Sequence, residues 1–424
     1  MTRMRILPDE PTIAASVAAR IQTDYDEFAG SGLPAPLEPY LLDRYGLDLA
    51  AEYAGNPLKN PWGKASGQLS MTAHQVQEDI DAGLGFVVLK TVIAQDETGA
   101  QSMEAWAIRE SRMVVEPILG TSGNKGWTVT WKGRGWWQSF NDYLQLIRDA
   151  QRIAVPRNTL IVPSCKYHLP APGEFRWNVA EYEWTTPRLI EAWESSLREF
   201  RSSLPEAAMP LEMDFSPTLA GSDRAAVQET ILSWLRQVTH LIRDSSRSRT
   251  LPRIGLKLFN ALFDDEFQIE MLDAIHVPGD ASPDFYIYGN RLFDPNREFE
   301  GNRGVAYGGP DLSDRNLRVM QQFHKRPMRT VPLPWSATGN IGSGRTALEY
   351  ALCGASSFQL HTFFQLPQSE YRMRTGNRTE RALHELYFHP QTGFVTWMHH
   401  LADALGLSRS PLRFQDLIGR VSDL

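Results

Sequence analysis

The amino-acid sequence predicts an α/β fold, a (β/α)8 or TIM barrel, and two observations lead to it. Short apolar runs rich in Val, Ile, Leu or Phe recur along the chain, and amphipathic stretches such as AAVQETILSWLRQVTHLI (225–242) lie between most of them. No run is followed by a GxGxxG turn, which disfavours the rival doubly wound open sheet. We expect one barrel domain over residues 46–424, preceded by an N-terminal helical extension over residues 1–45.

Eight candidate strands follow one another in the order that such a barrel requires. They are PWGKASG (61–67), FVVLKTV (86–92), LIVPSCK (160–166), PLEMDFS (210–216), RIGLKLF (253–259), DFYIYGN (284–290), TVPLPWSATG (330–339) and SSFQLHTF (356–363). Barrel enzymes carry their chemistry where strands end and the following loops begin. Functional residues are therefore expected at the carboxyl ends of these eight segments.

Composition and charge exclude several classes of function. The net charge of −7 and the lack of a basic tract with interleaved aromatic residues argue against nucleic-acid binding. Two cysteines, Cys165 and Cys353, are too few for a disulfide framework, a zinc site or a cysteine-ligated iron–sulfur cluster. No run approaches the roughly 18 apolar residues of a membrane helix, and residues 1–24 lack the apolar core of a signal peptide. A cytoplasmic location is expected.

Two lysines, Lys90 and Lys257, lie inside otherwise apolar candidate strands. A buried ammonium is unfavourable without an anionic or electron-rich partner. We therefore expect each lysine to face a ligand, and the alternative is that their ammonium groups reach solvent at the barrel rim.

From residue 46 onward, the order of motifs resembles the FMN-containing dihydroorotate dehydrogenase and dihydropyrimidine dehydrogenase family. NPLKNPWGKASG (56–67) is similar to the opening strand of that family, GLGFVVLKTV (83–92) to its second motif, and IGLKLF (254–259) to the strand with its flavin-contacting lysine. ATGNIGSGRTALEYALCGASSFQLHT (337–362) and RFQDLIGR (413–420) resemble its last motifs. The resemblance implies an FMN-dependent oxidoreductase that interconverts a C–C and a C=C bond next to a carbonyl.

The resemblance also implies which residues contact FMN. Glycine-rich turns after the seventh and eighth strands would offer backbone N–H groups to the phosphate. The implied contacts are Ala65, Ser66, Gly67, Lys90, Thr91, Lys257, Gly308, Gly309, Thr338, Gly339, Asn340, His361 and Thr362. Asn340 and His361 replace family glycines. Asn tolerates left-handed backbone angles, whereas His361 is expected either to contact the phosphate or to crowd the flavin ring.

The catalytic position falls in LEMDFSPT (211–218), where the family carries a Cys or Ser base before Pro. That base removes a substrate proton while hydride moves to the flavin. Aligned without a gap, Ser216 is the base, but the family's Asn falls on Met213. With one residue deleted, Asp214 takes the Asn position and the base is missing; this alignment is favoured because it keeps the alternating pattern of the strand. The predicted catalytic residues are Ser216, Asp214 and Lys90.

The substrate positions depart further from the family. The amide-rich family loop falls near WKGRGWWQSFNDY (131–143), which carries large rings and cations instead. The predicted substrate contacts are Thr218, Asn290, Trp131 and Arg134. Because orotate needs several convergent amides, we expect a different small-molecule substrate. The alternatives are a genuine dihydroorotate dehydrogenase, a flavin-binding protein without its chemistry, and a Schiff-base lyase that uses Lys90 or Lys257.

The segment around 100–185 is longer than the family average, so we expect an enlarged βα-loop region. At the end of the third strand, Lys166, Tyr167 or His168 is an alternative proton donor or acceptor, although a structural role is favoured for the tyrosine and the histidine. No metal site is expected, because MHH (398–400) lacks a third ligand. A second copy of the chain is considered as a partner, and neither nucleic acid nor a membrane is expected.

Overall fold

The computed structural model describes residues 5–104, 107, 113–131, 135–170, 174, 176–200, 208–215, 228–246, 250–260, 263–299, 302–326, 332–407 and 410–424. Three residues with predicted roles, Arg134, Ser216 and Thr218, lie outside the described residues.

Parallel strands close into a barrel at the eight positions that the sequence predicts. They are β1 (Trp62–Lys64), β2 (Phe86–Val88), β3 (Leu160–Val162, continued by Ser164–Lys166), β4 (Pro210–Phe215), β5 (Arg253–Phe259), β6 (Phe285–Asn290), β7 (Trp335–Thr338) and β8 (Ala355–Leu360). Each strand pairs with the next, and β8 pairs with β1. The predicted (β/α)8 fold class is confirmed.

The third strand is interrupted at Pro163, which has no N–H to donate to a ladder. Its carbonyl nevertheless accepts a hydrogen bond of 3.0 Å from the backbone N–H of Glu212 in β4. A short strand, Val92–Ile93, extends the pairing of β2 with the second half of β3. The ring of strands therefore remains continuous through the interruption.

Helices surround the strands in the predicted alternating order. They are α1 (Ala15–Ser31), α2 (Leu37–Tyr45), α3 (Ala73–Asp81), α4 (Phe140–Ala154), α5 (Val179–Leu197), α6 (Gln228–Ser245), α7 (Asp265–Ile275), α8 (Pro310–His324), α9 (Gly344–Leu352), α10 (Arg378–Phe388) and α11 (Phe394–Ala404). None of the described helices is long and apolar enough to cross a membrane.

The N-terminal helix α1 packs on the outer helical layer of the barrel. Its Tyr25 stacks on His384 of α10 with ring centroids 4.7 Å apart, and Phe28 meets Phe388 edge to face at 5.1 Å. Beyond α2, the short strand Leu47–Asp48 pairs in parallel with Leu412–Arg413 near the C-terminus. The helical extension expected from the sequence is therefore present and covers the side of the barrel.

In the described part of the chain, three antiparallel hairpins lie at the two ends of the barrel. The amino-end hairpin pairs Ala51–Tyr53 with Asn56–Leu58. The first mouth hairpin pairs Met113–Leu119 with Lys125–Trp131 after β2, and the second pairs Leu292–Phe299 with Asn302–Tyr307 after β6. The first mouth hairpin forms the enlarged loop region expected around residues 100–185.

The two mouth hairpins are in contact, and the turn that connects the second hairpin to α8 packs closely against the first. A Cβ added to Gly126 would lie 2.6 Å from Pro310, the first residue of α8, and one added to Gly309 would lie 2.5 Å from Ile118. The backbone N–H of Gly308 donates a hydrogen bond of 2.9 Å to Thr128 Oγ1. The close approach therefore depends on glycines on both sides.

Candidate active site

The amino end of the barrel lumen is filled by aromatic rings. Tyr53 of the amino-end hairpin inserts between Phe86 and Phe285, with ring centroids 4.6 and 5.1 Å away. Gly63 and Gly255 make room for these rings, because a Cβ on either glycine would overlap Phe86 or Phe285 respectively. This end of the lumen is a packed core.

Charged side chains occupy the lumen nearer the carboxyl ends of the strands. Asp214 of β4 lies in register with Lys257 of β5, so both side chains face inward. The Lys166 ammonium lies 3.4 Å from the carbonyl oxygen of Asp214. Lys90 and Lys257 are only 3% and 6% exposed, so the alternative in which they reach solvent at the rim is wrong.

The ionisation of Lys90 responds to its buried position. Burial, together with the positive charges of Arg291 and Lys257, lowers the pKa of Lys90 to about 7, although the Asp214 carboxylate opposes this shift. An ordinary lysine keeps its proton to a pH of about 10. Lys90 therefore changes its charge near neutral pH.

A second buried network lies between the aromatic core and this charged region. Lys257 Nζ donates to Gln359 Oε1 at 3.3 Å and lies 3.9 Å from Glu212 Oε2. Glu212 Oε1 accepts hydrogen bonds from Tyr53 OH and from Gln359 Nε2. Burial raises the pKa of Glu212, and the Lys257 ammonium opposes that rise. The sequence predicted no role for Glu212. The available signal was its position two residues before Asp214, which places both carboxylates on the same face of the strand.

Three hydroxyl groups connect the ends of the first three strands. Ser66 Oγ lies 2.8 Å from Thr91 Oγ1 and accepts the Thr91 N–H at 2.9 Å. Thr91 Oγ1 lies 2.9 Å from Ser164 Oγ, and the N–H of Ala65 donates to the carbonyl of Leu360 at 2.8 Å. Ala65, Ser66 and Thr91, all predicted flavin contacts, thus lie together on adjacent strand ends.

His361 packs directly on the turn after β1. A Cβ added to Gly67 would overlap the imidazole, and the Gln365 side-chain nitrogen lies 2.9 Å from His361 Nδ1. Burial, reinforced by the charges of Lys64 and Lys90, lowers the pKa of His361 well below its usual value. Burial therefore favours the neutral form of His361, whose ring crowds the turn after β1.

The turn after β7 is held by several hydrogen bonds. Gly339 and Asn340 have φ angles of 102° and 53°, which agrees with the left-handed backbone expected at Asn340. The Tyr350 hydroxyl donates to the carbonyl of Gly339 at 2.9 Å, and Asn340 Nδ2 donates to Ser313 Oγ at 2.9 Å. Thr338 Oγ1, at the end of β7, donates to the Gln359 carbonyl of β8 at 3.1 Å.

The turn after β8 lies beside the turn after β7, because the two strands are paired. Thr362 opens a 3-10 turn, Thr362–Gln365, directly after His361. The predicted phosphate contacts Gly339, Asn340, His361 and Thr362 therefore come from neighbouring turns at the same end of the barrel.

The end of β4 carries the described part of LEMDFSPT, residues 211–215. Asp214 faces the lumen, and Met213, which is fully buried, faces the helices because successive strand residues point in opposite directions. A polar contact to a ligand in the lumen is possible from Asp214 but not from Met213. The inward orientation of Asp214 agrees with the preferred alignment with one residue deleted, and the choice between the alignments stays a prediction because Ser216 and Thr218 lie outside the described residues.

The remaining predicted residues lie near the mouth. The Asn290 carbonyl, at the end of β6, accepts the Asn260 N–H at 2.9 Å. Gly308 and Gly309 meet the first mouth hairpin, in which Trp131 is the last residue. Arg134 is outside the described part of the chain.

Of the three alternative proton groups after β3, Lys166 is the one that faces the lumen. Tyr167 OH lies 2.9 Å from Thr186 Oγ1, and its ring stacks on Tyr182. His168 Nδ1 accepts the backbone N–H of Asn178 at 2.9 Å. The tyrosine and the histidine thus anchor helix α5. Within the described residues there is no cluster of three His, Cys, Asp or Glu side chains suited to a metal ion.

Comparisons with known proteins identify the fold. No protein-family model and no curated protein matches the sequence. Among solved structures, the chain is similar to a dihydroorotate dehydrogenase (DHODH) from Eimeria tenella in complex with ferulenol, with 14% sequence identity and a TM-score of 0.58. The alignment covers 98% of this chain and 97% of that one. The fold is therefore a dihydroorotate dehydrogenase-like α/β barrel.

Proposed function

We propose that the protein is an FMN-dependent oxidoreductase of the dihydroorotate dehydrogenase-like type, acting on a C–C or C=C bond next to a carbonyl. The observation that carries the proposal is the cluster of buried cations in the lumen. Lys90 and Lys257 lie below 10% exposure at the barrel end where such enzymes carry their chemistry. These are the two lysines that the family resemblance assigns to the flavin.

The residues at the carboxyl end fit FMN. Bound FMN would supply a hydride acceptor or donor. Lys257 would stabilise negative charge at the pyrimidine end of the reduced ring, because a preorganised cation in a dry site opposes developing charge strongly. Ala65, Ser66 and Thr91, which are fixed by hydrogen bonds between strand ends, would hold the edge of the ring system.

The phosphate of FMN would bind at the turns after β7 and β8. Gly339 and Asn340, both with positive φ, lie in the glycine-rich turn that precedes helix α9, and backbone N–H groups at such a turn and helix N-terminus can donate to a phosphate. Burial favours the neutral form of His361, so it would contribute packing against Gly67 rather than charge. Thr362 would add a hydroxyl donor.

The proton would be handled by the polar groups that line the substrate side of the lumen. The charge of Asp214 favours the charged form of Lys90, and Lys166 Nζ lies 3.4 Å from the Asp214 carbonyl oxygen. The Lys90 ammonium would stabilise the negative charge that develops as the substrate loses its proton. Ser216 is proposed as a base from its position in the sequence only. The Asp214 carboxylate would accept N–H groups of the substrate and would repel the carboxylate of dihydroorotate, which supports a substrate without an acidic group.

The visible spectrum of the purified protein tests this proposal, followed by anaerobic addition of candidate substrates. We expect flavin absorption bands that a cyclic, N–H-bearing carbonyl compound without a carboxylate bleaches and that dihydroorotate leaves unchanged. Bleaching by dihydroorotate would identify a genuine dihydroorotate dehydrogenase instead. If no flavin is retained after expression with riboflavin and reconstitution with FMN, the proposal is wrong, and borohydride trapping then tests the Schiff-base alternative.

Two variants assign the proton-handling residue. Asp214→Ala and Ser216→Ala are each assayed by the rate of anaerobic flavin bleaching. A larger loss of rate in Asp214→Ala supports the alignment with one residue deleted, whereas a larger loss in Ser216→Ala supports the alignment without a gap. Met213→Leu serves as the control, because Met213 faces the helices and the replacement conserves volume.

A further inference from the structure

Glu212 is a carboxylate in a place that packing alone does not explain. Its side chain is completely buried inside the barrel, and Oε2 has no hydrogen-bond donor among the described residues. Barrel lumens are usually filled by branched apolar side chains, and a buried carboxylate with an unsatisfied oxygen is unfavourable. The buried Glu212 carboxylate therefore indicates a role other than packing.

The surroundings of Glu212 fix the direction of its free oxygen. Tyr53 OH and Gln359 Nε2 both donate to Oε1, and Oε2 is thereby left on the side of Lys257, 3.9 Å from Nζ. Tyr53 is itself held between two aromatic rings of the packed amino end. Gln359 also accepts from Lys257 Nζ, so one amide positions the lysine and the carboxylate together.

We propose that Glu212 is the counter-charge of Lys257 and thereby sets how strongly that lysine stabilises the reduced flavin. The inference rests on the proposed function, because it requires FMN above Lys257. The physical argument is electrostatic. A negative charge 3.9 Å from the ammonium offsets part of its positive potential, and this offset is large where water is excluded. Glu212 is therefore a positioning residue that acts through Lys257.

The reduction potential of the bound FMN tests this role in the holoprotein. Glu212→Gln keeps the shape of the side chain and its acceptor oxygen but removes the charge. We expect reduced FMN to bind about tenfold more tightly relative to oxidised FMN, which raises the two-electron potential by about 30 mV. Met213→Leu, on the same strand but facing the helices, is the matched control and should leave the potential unchanged.

A double-variant cycle shows whether the effect passes through Lys257. In a Lys257→Met background, Glu212→Gln should change the relative binding of reduced and oxidised FMN by less than about twofold. An equal shift in both backgrounds would overturn the proposal, as would a Glu212→Gln protein that binds FMN with an unchanged potential. If Glu212→Gln fails to fold, Glu212→Asp is measured instead, because it withdraws the carboxylate from Lys257 by one methylene. The FMN potential should then rise by a smaller amount than the shift expected for Glu212→Gln. An unchanged potential in Glu212→Asp would also contradict the proposal. Failure of the wild-type protein to bind FMN would instead contradict the proposed function.

Discussion

The two ends of the barrel lumen are built from the same alternating strand positions but from opposite kinds of side chain. At the amino end, Tyr53 and two phenylalanines fill the space that Gly63 and Gly255 leave open. At the carboxyl end, inward positions carry buried ammonium groups such as Lys90 and a carboxylate, Asp214. The contrast indicates that stability and chemistry are separated along the barrel axis. Substitutions at the two ends should therefore have different consequences.

The largest effect on stability is expected from Phe285→Ala at the amino end. Phe285 is 1% exposed and contacts Tyr53, so its removal leaves a cavity and should lower the free energy of unfolding by about 3–5 kcal/mol. Urea denaturation measures this loss. Leu42→Ala, at a side chain that is 44% exposed, should change stability by about 0.5 kcal/mol or less. A loss below about 1 kcal/mol for Phe285→Ala would show that the aromatic cluster is not a tightly packed core.

The opposite pattern is expected for Lys90→Met at the carboxyl end. The rate of anaerobic flavin reduction should fall by about 10²–10³-fold, because a preorganised charge next to the reacting groups is lost. The free energy of unfolding should not decrease, because a buried ammonium is replaced by an apolar side chain of similar length. Stopped-flow bleaching and urea denaturation measure the two quantities.

The matched control for Lys90→Met is Lys325→Met, at an exposed lysine after helix α8. This variant should leave both the rate and the stability unchanged. If Lys90→Met lowers the free energy of unfolding as strongly as Phe285→Ala, stability and chemistry are not separated between the two ends of the lumen.

A smaller loss of stability is expected from Gly255→Ala. The added Cβ would overlap the Phe285 ring, and relieving the overlap should lower the free energy of unfolding by about 1–3 kcal/mol. Gly30→Ala provides a control of opposite sign. Gly30 lies on an exposed face of α1 with nothing within 4 Å of an added Cβ, so alanine should stabilise the protein by about 0.5–1 kcal/mol. Equal effects of the two substitutions in thermal denaturation would contradict the close fit at Gly255.

The pH dependence of flavin reduction tests the charge of Lys90 without a substitution. The pKa of Lys90 is lowered to about 7, so the ammonium is present below that pH and is lost as the pH rises through it. The bleaching rate should therefore fall by about tenfold for each pH unit above 7. Lys90→Arg remains charged and should remove this inflection. A wild-type rate that is flat between pH 6 and about 9 would contradict the assignment.

The strand positions and the buried lysines could be predicted from the sequence because they depend on local patterns. Alternation within LEMDFSPT also indicates that Asp214 faces inward, and the tolerance of Asn for left-handed angles anticipates the backbone at Asn340. Each of these features is determined by residues that are close to it in the sequence. The enlarged connection after β2 was likewise visible as extra length.

The Glu212 network and the contact between the mouth hairpins could not be predicted in the same way. Tyr53 and Glu212 are 159 residues apart, and their hydrogen bond depends on the insertion of the amino-end hairpin into the lumen. The glycine at position 126 meets Pro310 only because two separate loops fold over the same mouth. Such contacts follow from the assembled tertiary structure, and no local pattern encodes them.

The central claim is that the carboxyl end of the barrel binds FMN through both its ring and its phosphate. Fluorescence titration of the flavin-free protein with FMN and with riboflavin tests this claim directly, because riboflavin has the ring but lacks the phosphate. We predict that FMN binds at least about tenfold more tightly than riboflavin, since charge-assisted hydrogen bonds at the turns after β7 and β8 are lost without the phosphate. Equal affinity for the two compounds, or binding of neither, would contradict the account.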